Sequence, residues 1–331
     1  MAKASAKKTT KLLVAGVVLM VIAGLGPWMI LTLFGQPNAA NVAILPSVAV
    51  TIACVTGAGW ETGLIVVAPF ALLAGLSAWA SPYPWLAALV LAIAAFLRGY
   101  AARIGLHDAL ILIVISLGFI VALPPTFTAS MPDPLLVGLV VLGSGIWVTA
   151  VIFTLRKLIP PMKHVHLEAI RVDVFSIMLA ILVGGATYFV ASFNLGQTGG
   201  WIILTILVVF QPYFGIGIKK AGSRALGTVI GFVIAVVVGL FFPTGNILYL
   251  FGAIFIVIAF LFILQGRPYW QYAVALTPAV VLMDSAQSKV NVIAMERLKG
   301  TFVGIAVTLL VMLALMPLNK YLEAKSNAPQ S

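Results

Sequence analysis

Two arginines begin the same eight-residue pattern at two places in the second half of the chain. Residues 224–231 and 297–304 both read R-x-x-G-T-x-x-G, and Lys299 lies inside the second copy. An arginine guanidinium is planar and always charged, and it can donate two parallel hydrogen bonds to one carboxylate. We therefore predict that Arg224 and Arg297, with Lys299 beside the latter, bind organic anions.

The segment before each motif combines an aromatic start, a threonine and a proline: Trp201, Thr205 and Gln211-Pro212 in one case, Trp270 and Thr277-Pro278 in the other. Proline removes a backbone donor and kinks or breaks a helix. Broken helices at matching positions of two repeats indicate a substrate site near the membrane midplane. Anchoring at the membrane interface is the alternative role for the two tryptophans. The predicted substrate-binding residues are Arg224, Arg297, Lys299, Trp201, Thr205, Gln211, Trp270 and Thr277.

Two acids, Asp284 and Glu61, are the candidates for carrying a coupling proton. Acidic side chains within a membrane are costly and usually functional, although either acid could instead lie in headgroup water. The sequence contains no G-x-x-x-x-G-K-[ST] phosphate-binding loop and no His-Glu-x-x-His motif. We therefore expect neither ATP-driven transport nor enzyme activity, and no metal or other cofactor.

The overall composition is that of a membrane protein. Hydrophobic residues make up 63% of the chain and charged residues only 8%, whereas soluble domains carry about 25% charged residues. The net charge of +11 does not indicate a nucleic-acid partner, because the basic residues lie at the edges of apolar segments. The expected partners are the lipid bilayer and a small organic anion.

Apolar segments of about 20 residues predict an all-α polytopic fold of about twelve transmembrane helices. The charged segment 156–173 contains Pro160-Pro161 and is predicted to link two six-helix units, at 1–155 and 174–318, before a cytoplasmic tail at 319–331. The predicted spans are roughly 12–34, 40–57, 61–80, 84–102, 107–124, 134–155, 174–193, 200–217, 224–242, 246–265, 269–286 and 297–317.

The distribution of basic residues predicts the orientation of these spans. In this topology, 16 of the 19 Lys and Arg residues lie on one side, which the positive-inside rule identifies as the cytoplasm. Both termini are then cytoplasmic, in a bacterial inner membrane. The three exceptions are Lys289, Arg297 and Lys299. Because orientation does not explain Arg297 and Lys299, we predict that these two form the outer mouth of an anion path, with Arg224 at its inner mouth.

The two arginine motifs lie on spans that cross the membrane in opposite directions in this topology. Matching motifs on antiparallel spans predict an inverted repeat of three plus three helices in the second unit. The first unit has Trp60-Glu61-Thr62-Gly63 at the corresponding place, without an arginine. We therefore expect the first unit to be a degenerate copy that keeps the scaffold.

Several of these segments resemble the fusaric acid resistance family, which includes bacterial aromatic carboxylic acid efflux proteins and is related to plant aluminium-activated malate transporters. The resemblance covers about 200–318 and is carried by Trp201 to Thr205, Gln211-Pro212, residues 219–231, residues 267–278 and residues 297–304. It implies a six-span unit, dimeric or pseudo-dimeric, that moves organic anions. A homodimer is therefore a further expectation.

The sequence favours an inner-membrane exporter of organic carboxylates, with aromatic acids among the candidate substrates and a proton gradient as the candidate drive. Two alternatives remain open. One is a passive anion channel, and the other is a non-transporting membrane scaffold for an envelope-building complex.

Overall fold

The computed structural model describes residues 14–128, 131–157, 169–242, 246–285 and 289–318. These residues form helices joined by short connections, plus one small antiparallel pair of strands, β1 (Thr126–Thr128) and β2 (Met131–Pro132). Most of the predicted linker 156–173 and the predicted tail 319–331 lie outside the described residues. The helices are α1 (Val14–Gly24), α2 (Gly26–Leu33), α3 (Pro37–Thr56), α4 (Trp60–Ala80), α5 (Pro84–Tyr100), α6 (Ile111–Ala122), α7 (Pro134–Leu155), α8 (Ala169–Ser192), α9 (Gly196–Val209), α10 (Phe214–Phe241), α11 (Asn246–Leu264), α12 (Tyr269–Asp284) and α13 (Val290–Ala314).

The helices begin and end where the local sequence requires it. Pro37, Pro84 and Pro134 stand in the first turns of α3, α5 and α7, where the missing proline N–H would have no helical acceptor. The Asp133 carboxylate accepts a hydrogen bond from the Leu136 N–H at 3.1 Å and caps α7. Gly105 adopts a left-handed conformation after α5 and the 3₁₀ turn that follows it, which ends that segment at low conformational cost.

Eight helices of the described residues are long and apolar enough to cross a membrane, and α1 with α2 make a ninth if the pair is one span. The pair bends by 46° where one ends and the other begins, next to a π-helical turn at Met20–Gly24. The Ile22 carbonyl accepts a hydrogen bond from the Trp147 indole N–H at 2.8 Å. The protein is therefore an all-α, multi-pass membrane protein.

Apart from α1 and α2, three of the described helices are too short to cross the hydrocarbon region alone. Helices α6, α9 and α12 contain 12, 14 and 16 residues, which corresponds to about 18–24 Å against a hydrocarbon thickness of about 30 Å. Extended backbone at Phe210 ends α9 just before Pro212, and Pro268 precedes α12. Irregular backbone at membrane depth is tolerated where protein or an aqueous cavity surrounds it.

The short helix α9 lies in the centre of the protein. All of its residues from Gly199 to Val209 are buried, and it packs against α6, α8 and α13. Most residues of α3 are also buried, whereas α10 and α11 are buried over only 28% of their apolar windows. The interior of the protein is apolar because the helices pack there. The outer surface is also apolar because it faces lipid in a membrane protein.

Helices α5 and α8 join the two predicted units along a closely packed seam. A methyl group placed on Gly99 of α5 would lie 2.6 Å from the Ser176 Cα, and one placed on Gly184 of α8 would lie 3.0 Å from the Ala92 Cβ. Small residues allow such close approach of helix backbones in membranes. An ion pair of 2.6 Å between Arg103 and Asp173 closes the same seam at one end.

The two helices that carry the arginine motifs run antiparallel. Gly217 near the start of α10 contacts Met312 near the end of α13, and Gly239 near the end of α10 contacts Val290 at the start of α13. Arg224 is the eleventh residue of α10 and Arg297 the eighth residue of α13. On these antiparallel helices the two arginines therefore lie at different depths, each in the half of the bundle from which its own helix starts.

Several predicted span boundaries differ from the observed helices for identifiable reasons. The span predicted at 224–242 begins earlier, at Phe214, because Lys219 and Lys220 lie within α10 instead of in a loop. The span predicted at 200–217 ends early, at Val209, because the chain turns extended before Pro212. The span predicted at 297–317 begins one to two turns earlier, at Val290.

Candidate functional site

Two cavities lie between the helices of the two predicted units. The larger, of about 470 Å³, is lined mainly by α3, α6, α9 and α12 and reaches the end of α12 and the start of α13. We call it the outer cavity, following the predicted orientation. The smaller, of about 300 Å³, lies toward the start of α10 and α12 and is called the inner cavity.

A set of six residues lines both cavities and therefore lies between them. Four are leucine or isoleucine residues of α6, α9 and α12, one is the α3 residue Ile52, and one is a tyrosine. We call this set the septum: Ile52, Leu112, Ile115, Leu204, Tyr272 and Leu276. An apolar constriction built from such residues can stop an ion by excluding the water that would hydrate it.

Arg297 lines the outer cavity and is fully buried. Its guanidinium carbon lies 4.1 Å from the centre of the Trp201 ring, a cation–π contact. The Arg297 Nε, Nη1 and Nη2 atoms, the Trp201 Nε1 atom and the Thr301 hydroxyl are buried without a hydrogen-bond partner among the described residues. Leaving buried donors unpaired is costly, so this group of donors is suited to receive a carboxylate.

Arg224 lines the inner cavity in the corresponding way. It is also fully buried, and its Nη1 donates to the Tyr269 hydroxyl oxygen at 3.3 Å. Its Nε and Nη2 atoms and the Thr228 hydroxyl have no hydrogen-bond partner among the described residues. The two motif arginines therefore each lie beside a different cavity and have buried donors without a partner among the described residues.

The motif glycines explain how the arginine helices reach these positions. A methyl group on Gly300 would lie 2.6 Å from the Thr198 carbonyl oxygen, and one on Gly304 would lie 2.7 Å from the Thr205 Cβ, so α13 packs directly on α9. The second of these contacts, between Gly304 and Thr205, lies within the buried part of α9. Only glycine permits this backbone approach, and it sets the depth of Arg297.

The other motif packs on α12 in the same manner. A methyl group on Gly227 would lie 3.0 Å from the Trp270 carbonyl oxygen, and one on Gly231 would lie 2.5 Å from the Thr277 Cβ. Thr198 and Thr205 on α9 thus have the same relation to α13 as Trp270 and Thr277 on α12 have to α10.

Asp284 also lines the outer cavity, at the end of α12. Its carboxylate accepts a hydrogen bond of 2.5 Å from the Gln197 side-chain amide on α9. Glu61, the other acid proposed for proton coupling, is exposed at the start of α4 and lines neither cavity. The geometry therefore places only one of the two predicted acids near a motif arginine.

The remaining predicted residues line neither cavity. The Thr205 and Thr277 hydroxyls donate to the Trp201 and Ala273 carbonyls of their own helices. The Gln211 amide donates to the Val208 carbonyl. Two further predicted residues, Lys299 (exposed) and Trp270 (38% exposed), line neither cavity.

At the inner cavity, sequence reasoning missed an ion pair between the two predicted units. Lys220 Nζ of α10 lies 3.5 Å from a carboxylate oxygen of Asp108, in the connection before α6, and both residues line the cavity. No sequence spacing relates residues 108 and 220, so only the tertiary structure reveals this pair.

Part of this chain is similar to a known family of proteins. Residues 179–311 match the family model for fusaric acid resistance protein-like proteins. The resemblance inferred from the sequence is confirmed for this segment, which runs from the middle of α8 into α13. The fusaric acid resistance protein-like segment contains every predicted site residue except Glu61. Searches of curated proteins and of solved structures gave no match. The family match and the long apolar helices support a membrane transport-type function.

Proposed function

We propose that this protein transports organic carboxylate anions across the bacterial inner membrane, along a path between its two units. The observation that carries the proposal is that two fully buried arginines with unpaired donors line the two cavities on either side of the septum. A buried guanidinium that lacks a partner is stabilised by a bound carboxylate through charge-assisted hydrogen bonds.

The path has one cationic site on each side of an apolar barrier. An anion from the cytoplasm would meet Lys220 and Arg267 at the inner cavity before reaching Arg224. It would then pass Tyr272 and its neighbours in the septum and bind Arg297 in the outer cavity. Fixed cations on both sides of a short barrier lower the cost of moving an anion through it without offering a site too deep to leave.

We further propose that α8–α10 and α11–α13 form an inverted repeat, and that the short helices cross the membrane as incomplete helices to give twelve crossings. The antiparallel direction of α10 and α13 supports the first part, as do the equivalent glycine contacts on α12 and α9. The position of α6, α9 and α12 around the cavities supports the second, because discontinuous helices are typical of transporter substrate sites.

Export, aromatic substrates and proton coupling are the finer parts of the proposal. Export of carboxylates, including aromatic ones, is what the family resemblance implies. Asp284 is the proposed proton carrier, since it lines the same cavity as Arg297. The cytoplasmic termini and a homodimeric assembly remain predictions from the sequence.

Flux into proteoliposomes tests the proposal. Purified protein is reconstituted and the uptake of a panel of carboxylates is measured with and without a pH gradient. We expect Arg224→Gln and Arg297→Gln each to reduce flux by roughly 10-fold or more, because a hydrogen bond to a charged group contributes about 1.5–3 kcal/mol. Arg156→Gln is the matched control, since this exposed arginine stacks on Phe153 away from both cavities.

The outcomes separate the three functions considered. Full activity of both cavity variants would contradict the anion path. Flux that follows the anion gradient and ignores the pH gradient would identify a passive channel, and absence of flux for every carboxylate would favour a scaffold.

A further inference from the structure

The outer cavity is built from both units, but the two walls differ in charge. Among the described residues that line it, the charged ones are Asp284 and Arg297, both from the second unit. The facing wall comes from the first unit, through α3 and α6, and its polar side chains there are uncharged. A ligand that fills this cavity therefore meets a cation at one wall and neutral hydrogen-bonding groups at the other.

The neutral wall has two amides on one face of α3. Asn38 and Asn41 are three residues apart, so their side chains lie on the same side of the helix, and both line the cavity. Both are exposed, and neither side-chain amide forms a hydrogen bond with another residue of the described part of the chain. Each amide offers one acceptor and two donors to whatever occupies the cavity.

The backbone of α3 adds an acceptor in the next turn. Pro46 lies inside α3 and has no N–H, so the Val42 carbonyl lacks the helical donor four residues ahead. Val42 and Pro46 both line the outer cavity. The first unit thus presents two side-chain amides and a carbonyl without its usual helical partner within two turns of one helix.

The space between the two walls is apolar. Ile115, Phe119 and Val280 line the cavity there, and Phe119 contacts Trp201 edge-to-face, with the ring centres 4.6 Å apart. Such a lining favours the apolar part of a ligand and offers no partner to a second charged group on that ligand.

We propose that Asn38 and Asn41 are specificity-determining residues that bind an uncharged hydrogen-bonding group, such as a hydroxyl, on the end of the substrate remote from its carboxylate. This inference rests on the proposed function, because it takes Arg297 as the carboxylate site. It assigns the first unit a direct role in recognition, where the sequence predicted only a scaffold. The preferred ligand class is a monocarboxylate with an apolar body and a distal hydroxyl.

Calorimetric titration of the full-length protein in lipid nanodiscs tests this role. The probes are 3-phenylpropionate and 3-(4-hydroxyphenyl)propionate, which differ by one distal hydroxyl. We expect the wild type to bind the hydroxylated probe about 10-fold more tightly, because a bound ligand without the hydroxyl would displace water from the two amides and leave them unpaired. Asn38→Leu with Asn41→Leu should abolish that preference and retain binding of 3-phenylpropionate, which also reports that the variant is folded. Asn291→Leu, an exposed position outside the cavity, is the control.

Each result bears on one assignment. Equal affinity of the wild type for the two probes, or an unchanged preference in the double variant, would overturn the role of the α3 amides. If the double variant binds neither probe, the two probes are compared in the single variants Asn38→Leu and Asn41→Leu. An unchanged preference for the hydroxylated probe in both single variants would also overturn the role of the α3 amides. Arg297→Gln should weaken both probes equally, and if it binds them like the wild type the proposed function fails instead.

Discussion

The guanidinium carbon of Arg297 lies 4.1 Å from the centre of the Trp201 indole ring. A cation–π contact stabilises the charge through the ring face and uses none of the five guanidinium N–H groups. The arginine is therefore held beside the outer cavity without using its hydrogen-bond donors. Trp201 is itself buried against Phe119, so the ring is a fixed platform, and the cavity does not depend on a flexible side chain to position its cation.

The close packing of α13 on α9 predicts an effect on stability. Gly300→Ala would bring the new methyl group within 2.6 Å of the Thr198 carbonyl oxygen and of the Trp201 Cβ, and neither can move as a flexible side-chain end would. We expect a loss of about 1–3 kcal/mol from overpacking, measured as a lower melting temperature in detergent. Gly185→Ala on α8 has open space around it and is the control. Equal melting temperatures for the two variants would contradict the packing.

The septum predicts where a leak can be created. Leu204→Ala combined with Leu276→Ala removes two apolar side chains from the residues shared by the two cavities. A wider, wetter barrier should raise the passive flux of carboxylates, because apolar constrictions block ions by excluding water. Counterflow and net efflux from proteoliposomes would measure this. Leu72→Ala, at a surface position that is 65% exposed, is the control and should leave the flux unchanged. If the septum double variant has the same passive carboxylate flux as the wild type, the path does not cross the septum.

The two predicted acids can be distinguished by their response to a pH gradient. Asp284→Asn keeps a group that can pair with Gln197 but removes the ionisable proton. We expect flux down an anion gradient to persist and the stimulation by a pH gradient to disappear. Glu61→Gln should retain that stimulation, because Glu61 lines neither cavity. The opposite pattern, with stimulation lost only in Glu61→Gln, would move proton coupling away from the outer cavity.

The orientation of the helices can be tested by labelling. In a variant with the buried Cys54 replaced by alanine, Lys289→Cys lies before α13 and Gln265→Cys lies after α11; both positions are exposed. A membrane-impermeant maleimide added to intact cells should label position 289 and should reach position 265 only after permeabilisation. Labelling of both positions from the same side would contradict the antiparallel directions of the two arginine helices relative to the membrane.

The sequence predicted the long helices well because each has an uninterrupted apolar run. The span predicted at 134–155 matches α7, and the span predicted at 246–265 differs from α11 by one residue. The bend between α1 and α2 was not predicted, since it depends on a π-helical turn and on a hydrogen bond from the distant Trp147. Local apolar composition cannot report such a contact.

The candidate site was only partly predictable. The repeated motif identified Arg224 and Arg297, because a motif that occurs twice stands out in a single sequence. It did not identify Asn38 or Gln197, since each acquires its interest from residues more than 80 positions away that line or contact the same cavity. The spacing also suggested that Thr205 and Thr277 face the substrate, whereas their hydroxyls are already used within their own helices.

The two walls of the outer cavity belong to one polypeptide, and this has a consequence for how selectivity can change. In a pore formed by two identical subunits, every substitution appears in both subunits, so a charge cannot be introduced on one wall without an equivalent charge on the other. Here Arg297 has no such obligatory copy facing it, and Asn38 can vary alone. Substitutions at the neutral wall can therefore change the fit to new molecules while leaving the proposed carboxylate site at Arg297 unchanged.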